Sequence, residues 1–456
     1  MKKTLTVLMS VFFSLSVFAQ QNPAPIKLTL QQSIDIAFKN NVSLQKQKNN
    51  VSLVGAEYLR SIGVFLPNLN ASVSASYSES KSLADSSTTK NVIKEYTANN
   101  KSRNYSWEIS SNLNLFNGFS DYLSLEQTMN NYEAAKLKLN RSAQETLLDV
   151  SSKFLDVLLK QELMGISKEN LVYADEQLKK ISEMTRLGSR PLIDLYNQQY
   201  QKANAELDLI NAEKNLEISK SNLVAALALD PSQEYEIIKP DLSLFTGKSE
   251  IQSLSVLIPS ALKSRPDYQA SELSIKTKRS AVWQSYSNYI PSLTANWSYG
   301  KSGGTPDNKF SVADQFANNS SWRIGLTLSV PIFDRFQREY SVQQASVNLK
   351  NAELDLQSLE RDITIGVKQA FLDYGSYKKR LEASETQFKA ASTLKETAQE
   401  RYNVGAGSYV ELADAIRQYT SAASGLAQAR YQYEFQKKVL EFYVGDLKVE
   451  NYITID

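Results

Sequence analysis

The spacing of apolar positions changes period several times along the chain, and its longest uninterrupted run lies between Asp334 and Tyr402. Apolar or small residues recur there every three or four positions, among them Val342, Leu349, Leu356, Ile363, Val367, Tyr374, Leu381, Phe388 and Leu394. That spacing keeps one narrow stripe on one side of a helix, the seam of a coiled coil rather than the broad face of a globular helix. Pro331 is the last proline in the sequence, so nothing interrupts the run. At 1.5 Å per residue such a helix is a rod roughly 100 Å long.

The pattern starts from helical spacing over Leu28 to Phe65, closed by Pro67. Period two follows: Leu69, Ala71, Val73, Ala75 and Tyr77 alternate with Asn and Ser, which predicts a strand with one apolar face. The polar run from Glu79 to Asn104 reads as an exposed loop. Alternation then returns through Tyr105, Trp107, Ile109, Leu113 and Leu115, giving a hairpin over about 68–116. Helical spacing resumes after Gly118 and lasts to about Leu187. Gly188 suits a left-handed helix end and Pro191 the first turn of a returning helix, so a tight reversal is expected there. The pair of long helices covers about 118–229.

After an irregular linker over 231–253 the second half, 254–444, repeats the first, 20–230. Ile290-Pro291-Ser292-Leu293 answers Leu66-Pro67-Asn68-Leu69, and a second alternating hairpin spans about 292–332 around a loop from Gly300 to Ser321. Helices over about 334–444 turn back at Val404-Gly405-Ala406-Gly407-Ser408, and 445–456 form a tail. The reading is a mixed α and β chain: four strands in two hairpins, and two pairs of very long helices.

Composition narrows the function. The chain has 456 residues with no Cys and no His, which removes thiol nucleophiles, disulfides, Cys or His zinc sites and imidazole bases. No catalytic constellation is visible, so an enzyme is not expected, nor any cofactor or metal. Lys2 and Lys3 precede an apolar run from Leu5 to Phe18, and Val17-Phe18-Ala19 offers small residues for cleavage, so residues 1–19 read as a signal peptide. With Lys2 and Lys3 removed the 51 basic residues fall to 49, equal to the 49 acidic ones, and a nucleic-acid partner gains no support. No later segment has eighteen consecutive apolar residues, so a membrane could be crossed only by a barrel.

Alternation also fits a soluble sandwich. Three features favour the membrane: strands of roughly 9 to 11 residues, a wet opposite face of Ser, Thr, Asn and Gly, and aromatic residues near the loop ends of the apolar faces. Those are Tyr77, Tyr105, Trp107, Trp297, Tyr299 and Trp322, placed where an interfacial girdle falls. Four strands cannot close a barrel, because about eight is the smallest number whose interior fits side chains. Two copies would give eight strands with a filled interior; three would give twelve and leave room for a conduit.

The whole chain after the leader resembles the TolC family of outer-membrane efflux and secretion channels. Leu66-Pro67-Asn68-Leu69, Ile290-Pro291-Ser292-Leu293, Pro331-Ile332-Phe333-Asp334, Ser264-Arg265-Pro266-Asp267 and Arg401-Tyr402-Asn403-Val404-Gly405 carry the likeness in their order and spacing. It implies a homotrimer with a shared 12-stranded β-barrel in the cell outer membrane and a coiled-coil tunnel in the periplasm. The implied function is the exit duct of a tripartite efflux or type I secretion system, working with a periplasmic adaptor and an inner-membrane pump. The competing reading is a periplasmic coiled-coil adaptor or adhesin.

Glu411 and Asp414 lie three apart at the start of the final helix and share a face. Acids there complement the helix dipole without any further role. In a trimer they would form two acidic rings, and the resemblance places the tunnel constriction at these positions. It further assigns Asp194 and Tyr402, beside the turn glycines Gly188 and Gly405, to the gate, and puts adaptor contact around both turns. A basic gate residue of the family aligns with Gly407, a departure from the pattern.

Overall fold

The structure is a computed structural model that describes residues 26–84, 96–239, 253–305 and 310–449. The leader with its Val17-Phe18-Ala19 site, residues 240–252 of the linker with Pro240, the tips of both hairpins and residues 450–456 lie outside the described residues.

The first elements are β1 (Ile26–Leu28), α1 (Leu30–Asn40), α2 (Val42–Gly63), β2 (Asn70–Ala84), β3 (Tyr96–Asn117), α3 (Ser120–Arg186), α4 (Leu192–Ala226) and β4 (Tyr235–Ile237). They are followed by α5 (Leu254–Ser264), α6 (Pro266–Ser287), β5 (Ser292–Thr305), α7 (Val312–Asn318), β6 (Ser320–Ser329), α8 (Gln337–Asn403) and α9 (Tyr409–Val444). Helices α3 and α8 each have 67 residues, α4 and α9 have 35 and 36, and α2 and α6 each have 22.

Several local expectations are corrected. The helix expected over Leu28–Phe65 is two helices behind a short strand, because the Asn41 side chain accepts from the Leu44 amide at 3.0 Å and starts α2 afresh. The helix expected to restart at Ala261 begins earlier and breaks at Arg265, held extended before Pro266 at the first position of α6. The loop expected over Glu79–Asn104 is largely strand, since β2 and β3 pair from Asn70↔Ser110 out to Ala84↔Tyr96. A run polar on both faces carries no amphipathic period, so its pairing was hidden. The loop expected over Gly300–Ser321 contains the end of β5 and all of α7. Strand β6 stops at Ser329, ahead of Pro331, which cannot donate to a ladder.

The described residues fall in two compact units: 26–40, 149–239 and 381–431 form one, and 41–148, 253–380 and 432–449 form the other. The second holds the sheet, an antiparallel array in the order β2-β3-β5-β6, whose two hairpins are joined by the β3–β5 pair. A bulge between Asn114 and Phe116 leaves Leu115 unpaired and sets Phe116 opposite Leu293, returning Phe116 to the apolar face. Beyond the start of β6, the exposed edge of β5 is covered by α7: the Gln315 side-chain amide accepts from Gly304 N at 2.8 Å and donates to Gly304 O at 2.9 Å. The Ser311–Asp314 capping box fixes the start of α7.

The same unit packs Leu257 and Ala261 of α5 against Ile363, Val367 and Ala370 of α8 and Leu440 and Val444 of α9. Helix α9 ends in a closed set of partners. Arg141 donates to Phe442 O at 3.3 Å, Arg265 to Tyr443 O at 3.3 Å, and Ser264 to Val444 O at 2.7 Å, so side chains reach three terminal carbonyls, of which Phe442 O also accepts from Gly445 N at 3.1 Å. Gly445 follows with φ 81°, and a Cβ there would meet Arg265 Cγ at 2.9 Å and Arg265 N at 3.0 Å. Asp267 lies between the two arginines, accepting from Arg265 Nε at 3.0 Å and lying 3.8 Å from Arg141 Nε.

In the first unit β1 pairs in parallel with β4. Helix α4 carries two stripes. Gln198, Ala205, Leu216, Ser219 and Leu223 are buried, while Ile193, Tyr196, Tyr200, Leu207 and Ile210 lie exposed at coiled-coil spacing. Among the described residues a second apolar seam is therefore left without a partner.

Candidate functional site

Two regions carry chemistry worth building up: the sheet in one unit and the paired helix turns in the other.

Cross-strand partners share a face, so the register sorts the sheet into two surfaces. Ala71, Ile109, Tyr299 and Trp322 stand in one row; Ser111, Trp297 and Ile324 in the next; Leu113, Ala295 and Leu326 in the third. The apolar face is therefore continuous over all four strands. It is open in the single chain: Val73 is 87 % exposed and Trp322 73 %. The Trp107 and Tyr299 rings meet edge to face at 5.6 Å. Trp107, Tyr299 and Trp322 are thus gathered, Trp297 lies a row nearer the helices, and Tyr77 and Tyr105 stand further toward the loop.

The sequence reading missed a second aromatic set at the strand exits. Phe116 and Phe119 stack edge to face at 5.4 Å, and Phe333 and Phe336 do the same at 5.8 Å. In both places two consecutive residues with positive φ, Gly118-Phe119 and Arg335-Phe336, turn the strand into the long helix. A Cβ at Gly118 would sit 2.6 Å from Ser287 O, so only glycine fits. The shared signal, Phe-x-x-Phe after a strand, was present in both halves.

The two helix turns are built alike. Gly188 and Gly405 have φ of 75° and 78°. Ser189 N reaches Met184 O and Gly188 N reaches Thr185 O, while Ala406 N reaches Arg401 O and Gly405 N reaches Tyr402 O, the paired bonds of a Schellman end. Tyr402, 2 % exposed, is a core residue here, packed with Ile181 and Leu412. Arg190 lies over its ring at 4.3 Å, donates to its carbonyl at 3.1 Å, and stands 3.9 Å from Asp194. The structure therefore joins Asp194 to Tyr402 through Arg190, a residue to which the sequence gave no role. The buried Tyr402 hydroxyl has no partner among the described residues. Next to it, Tyr409 donates to Gln198, whose amide donates to Ala174 O at 3.1 Å.

Glu411 and Asp414 occupy different settings. Ser408 and Glu411 form a capping pair, with Glu411 N donating to Ser408 Oγ at 3.2 Å and Ser408 N to the Glu411 carboxylate at 3.4 Å. Arg401 lies 3.9 Å from the same carboxylate. Asp414 is paired with Arg417 and accepts from Gln418 at 2.6 Å; these hydrogen bonds, Arg417's first, hold its pKa below the ordinary value. Asp414 and Arg417 line a groove of about 860 Å³ between α3, α4 and α9, walled by Asn, Gln, Ser and Thr together with apolar residues and Tyr173 and Tyr409, whereas Glu411 does not line it.

Burial pushes Tyr409 up to about 12, with help from Tyr402 and Asp194, and burial likewise raises Tyr173 to about 12. A phenol whose folded pKa lies above its ordinary 10 contributes stability that is complete below pH 10 and is lost as pH climbs toward 12. Tyr409→Phe is expected to remove one late step from a tyrosinate absorbance titration; an unaltered curve above pH 10 would contradict this burial. Among the described residues no group of acids could hold a metal ion, and no helix is long and apolar enough to cross a membrane.

A family model described as outer membrane efflux protein matches residues 33–229 and 257–446. Outer membrane protein TolC of Vibrio cholerae is 22% identical over 338 residues, covering 74% of this chain and 76% of that protein. Alkaline protease secretion protein AprF of Pseudomonas aeruginosa is 23% identical over 350 residues, covering 73% and 70%. The Campylobacter jejuni CmeC outer membrane channel superposes with a TM-score of 0.75 at 16% identity, covering 97% of this chain and 94% of that one, a likeness of fold.

Proposed function

This chain belongs to the outer membrane efflux protein family, and from that premise we propose that three copies close one twelve-stranded barrel above a helical tunnel. As a family member it is an outer-membrane exit duct with its helices in the periplasm, a passive channel rather than an enzyme. The observation that carries the trimer is the open sheet: β2 and β6 both end it with unpaired edges, and its apolar face is uncovered. Unpaired backbone in lipid costs several kcal/mol per group, so the edges must meet those of other copies. The unpartnered seam on α4 fits the same assembly. Equal lengths of α3 and α8, and of α2 and α6, support two repeats within the chain.

The aromatic rows around Trp107, Tyr299 and Trp322, with Tyr77, Tyr105 and Trp297 beside them, serve as the outer girdle, and the Phe116 and Phe333 pairs as the inner one. Nine residues separate Trp107 from Phe116 on β3. At about 3.3 Å each and a tilt near 40°, they span roughly 23 Å, the height of an apolar membrane band.

The gate consists of Asp194, Arg190 and Tyr402 at the turns of Gly188 and Gly405. A side chain at Gly407 would be crowded, its Cβ 3.1 Å from Arg401 Cβ and 3.3 Å from Tyr402 N, so a basic residue there would require these neighbours to give. Arg190 supplies the cation to Tyr402 instead. Exposed Leu187, Ile193, Val404 and Val410 at the turns form the adaptor contact, and the pump drives export from the inner membrane. The family's description favours efflux and the name of the Pseudomonas aeruginosa relative favours protein secretion as the driving system.

Glu411 and Asp414 ring the narrow end of the tunnel. Each has an arginine alongside, so the rings attract cations weakly and depend on ionic strength. The test is mass in detergent together with planar-bilayer recording. A trimer with small cation-selective currents, whose selectivity falls severalfold in Glu411→Ala with Asp414→Ala, is expected. A monomer without currents would overturn the duct; a trimer with unchanged selectivity would overturn the rings alone.

A further inference from the structure

Beyond the outer girdle the face that carries Val73, Trp107 and Tyr299 does not become neutral. Its next positions on β2 are Ala75, Tyr77, Glu79 and Lys81, and on β3, read outward, Tyr105, Arg103 and Lys101. Tyr77 stands opposite Arg103 and Glu79 opposite Lys101, so three cations and one acid share a patch across two strands. The acid is only loosely engaged with its neighbour: Lys101 Nζ lies 3.8 Å from Glu79, and both side chains are well exposed. Among the described residues, Lys81 and Arg103 have no ion-pair partner. The opposite face at these rows is Ser78, Ser80, Ser102 and Asn104, so the charge is confined to one side.

Position along the strand decides what this patch meets. Arg103 is four residues beyond Trp107, about 13 Å along the strand and roughly 10 Å along the membrane normal at the usual tilt. That is where headgroups begin when the girdle marks the edge of the hydrocarbon. A solvated loop would carry its charges on either face; here they continue the lipid-facing one. The neighbouring cation, Lys301, is already committed, donating to Ala317 O of α7 at 3.1 Å.

We propose that Lys81, Lys101 and Arg103 form a docking site on the outside of the barrel for the phosphate groups of outer-leaflet lipid, with Tyr105 between them and the girdle and Tyr77, whose hydroxyl donates to Glu79 at 3.1 Å, at the level of Arg103. Arginine offers a planar fork to phosphate and lysine a mobile point charge, so together they suit headgroups held at a fixed depth. The inference rests on the barrel reading, since only that puts this face in lipid.

The test uses the full-length purified protein in detergent, titrated with bisphosphorylated lipid A and followed by native mass spectrometry. A basic side chain beside an anionic lipid surface contributes about a factor of five, so Lys81→Gln, Lys101→Gln and Arg103→Gln together are expected to weaken binding on the order of a hundredfold. Glu79→Gln, which removes only the acid, is expected to tighten it. Equal binding by the triple variant, equal binding of dephosphorylated lipid A, or displacement by inorganic phosphate at matched concentration would each overturn the site. Oligomer mass and conductance of the same samples are read separately. Loss of both in the unaltered protein would sink the barrel, whereas intact values with unchanged lipid binding would sink only this inference.

Discussion

Arg190→Ala is expected to convert a channel of small resting currents into one that is largely open, raising conductance in planar bilayers several-fold. The side chain does three things at once: it lies over the Tyr402 ring, donates to the Tyr402 carbonyl, and faces Asp194. A hydrogen bond from a charged donor contributes about 1.5–3 kcal/mol and a cation over an aromatic face about 0.5–1 kcal/mol. Losing both moves a closed-to-open equilibrium by roughly 2–4 kcal/mol, on the order of a hundredfold, enough to invert a modest closed preference. Arg190→Lys keeps the charge but loses the planar stack, so an intermediate conductance is expected. Equal conductance in all three proteins would mean that Arg190 only packs the turn. Melting of the whole protein is not expected from either change, because Ile181 and Leu412 still hold Tyr402 in place.

Asp267→Asn is expected to be the most damaging single substitution to stability among the charged positions. It leaves Arg141 and Arg265 facing each other with only the exposed Glu145, 3.7 Å from Arg141 Nε, as counter-ion, and the two are only 9 % and 6 % exposed. Burial and the charge of Arg265 already push Arg141 down to about 10, with Asp267 the leading opposing influence. Asp267 itself is pushed up by burial, but hydrogen bonds from Arg265 and the charge of Arg141 outweigh this and hold its pKa below the ordinary value. Its contribution is therefore complete above the ordinary carboxylate range and is lost as pH falls through the lowered value. Removing one partner from such a set costs about 3 kcal/mol. Hydrogen exchange at the end of α9, from Phe442 to Gly445, reports the loss, since Arg141 and Arg265 hold the Phe442 and Tyr443 carbonyls. Unchanged protection there would show that Ser264 and Gly445 suffice to close the helix.

The sequence made the long helices plain because a narrow stripe with steps of three and four has few other solutions over such a length. The turns were equally legible: Gly188 and Gly405 sit where a left-handed residue is needed, with the local polar bonds following from it. Short elements left less trace. Strands β1 and β4 have three residues each, too few for a period, and α7 announced itself only through Ser311 and Asp314. The outer reaches of β2 and β3 were hidden because both faces there are polar. For the proposed gate, Tyr402 and Asp194 were placed by resemblance, but Arg190 touches Tyr402 across 212 positions, and no local pattern encodes such a contact. The same holds for Arg141, whose partner carbonyl is 301 positions away.

In the shared barrel proposed above, the strand order β2-β3-β5-β6 would also dictate how the closed ring comes into being. One subunit carries two unsatisfied borders, a pair joined through one contact still carries two, and only ring closure removes the last. Each partial assembly is thus as poorly suited to hydrocarbon as the one before it, and no stepwise ladder of stable inserted species exists. Appearance of the closed ring should depend on subunit concentration with a kinetic order above one, while helix formation, confined to single chains, should not depend on it at all.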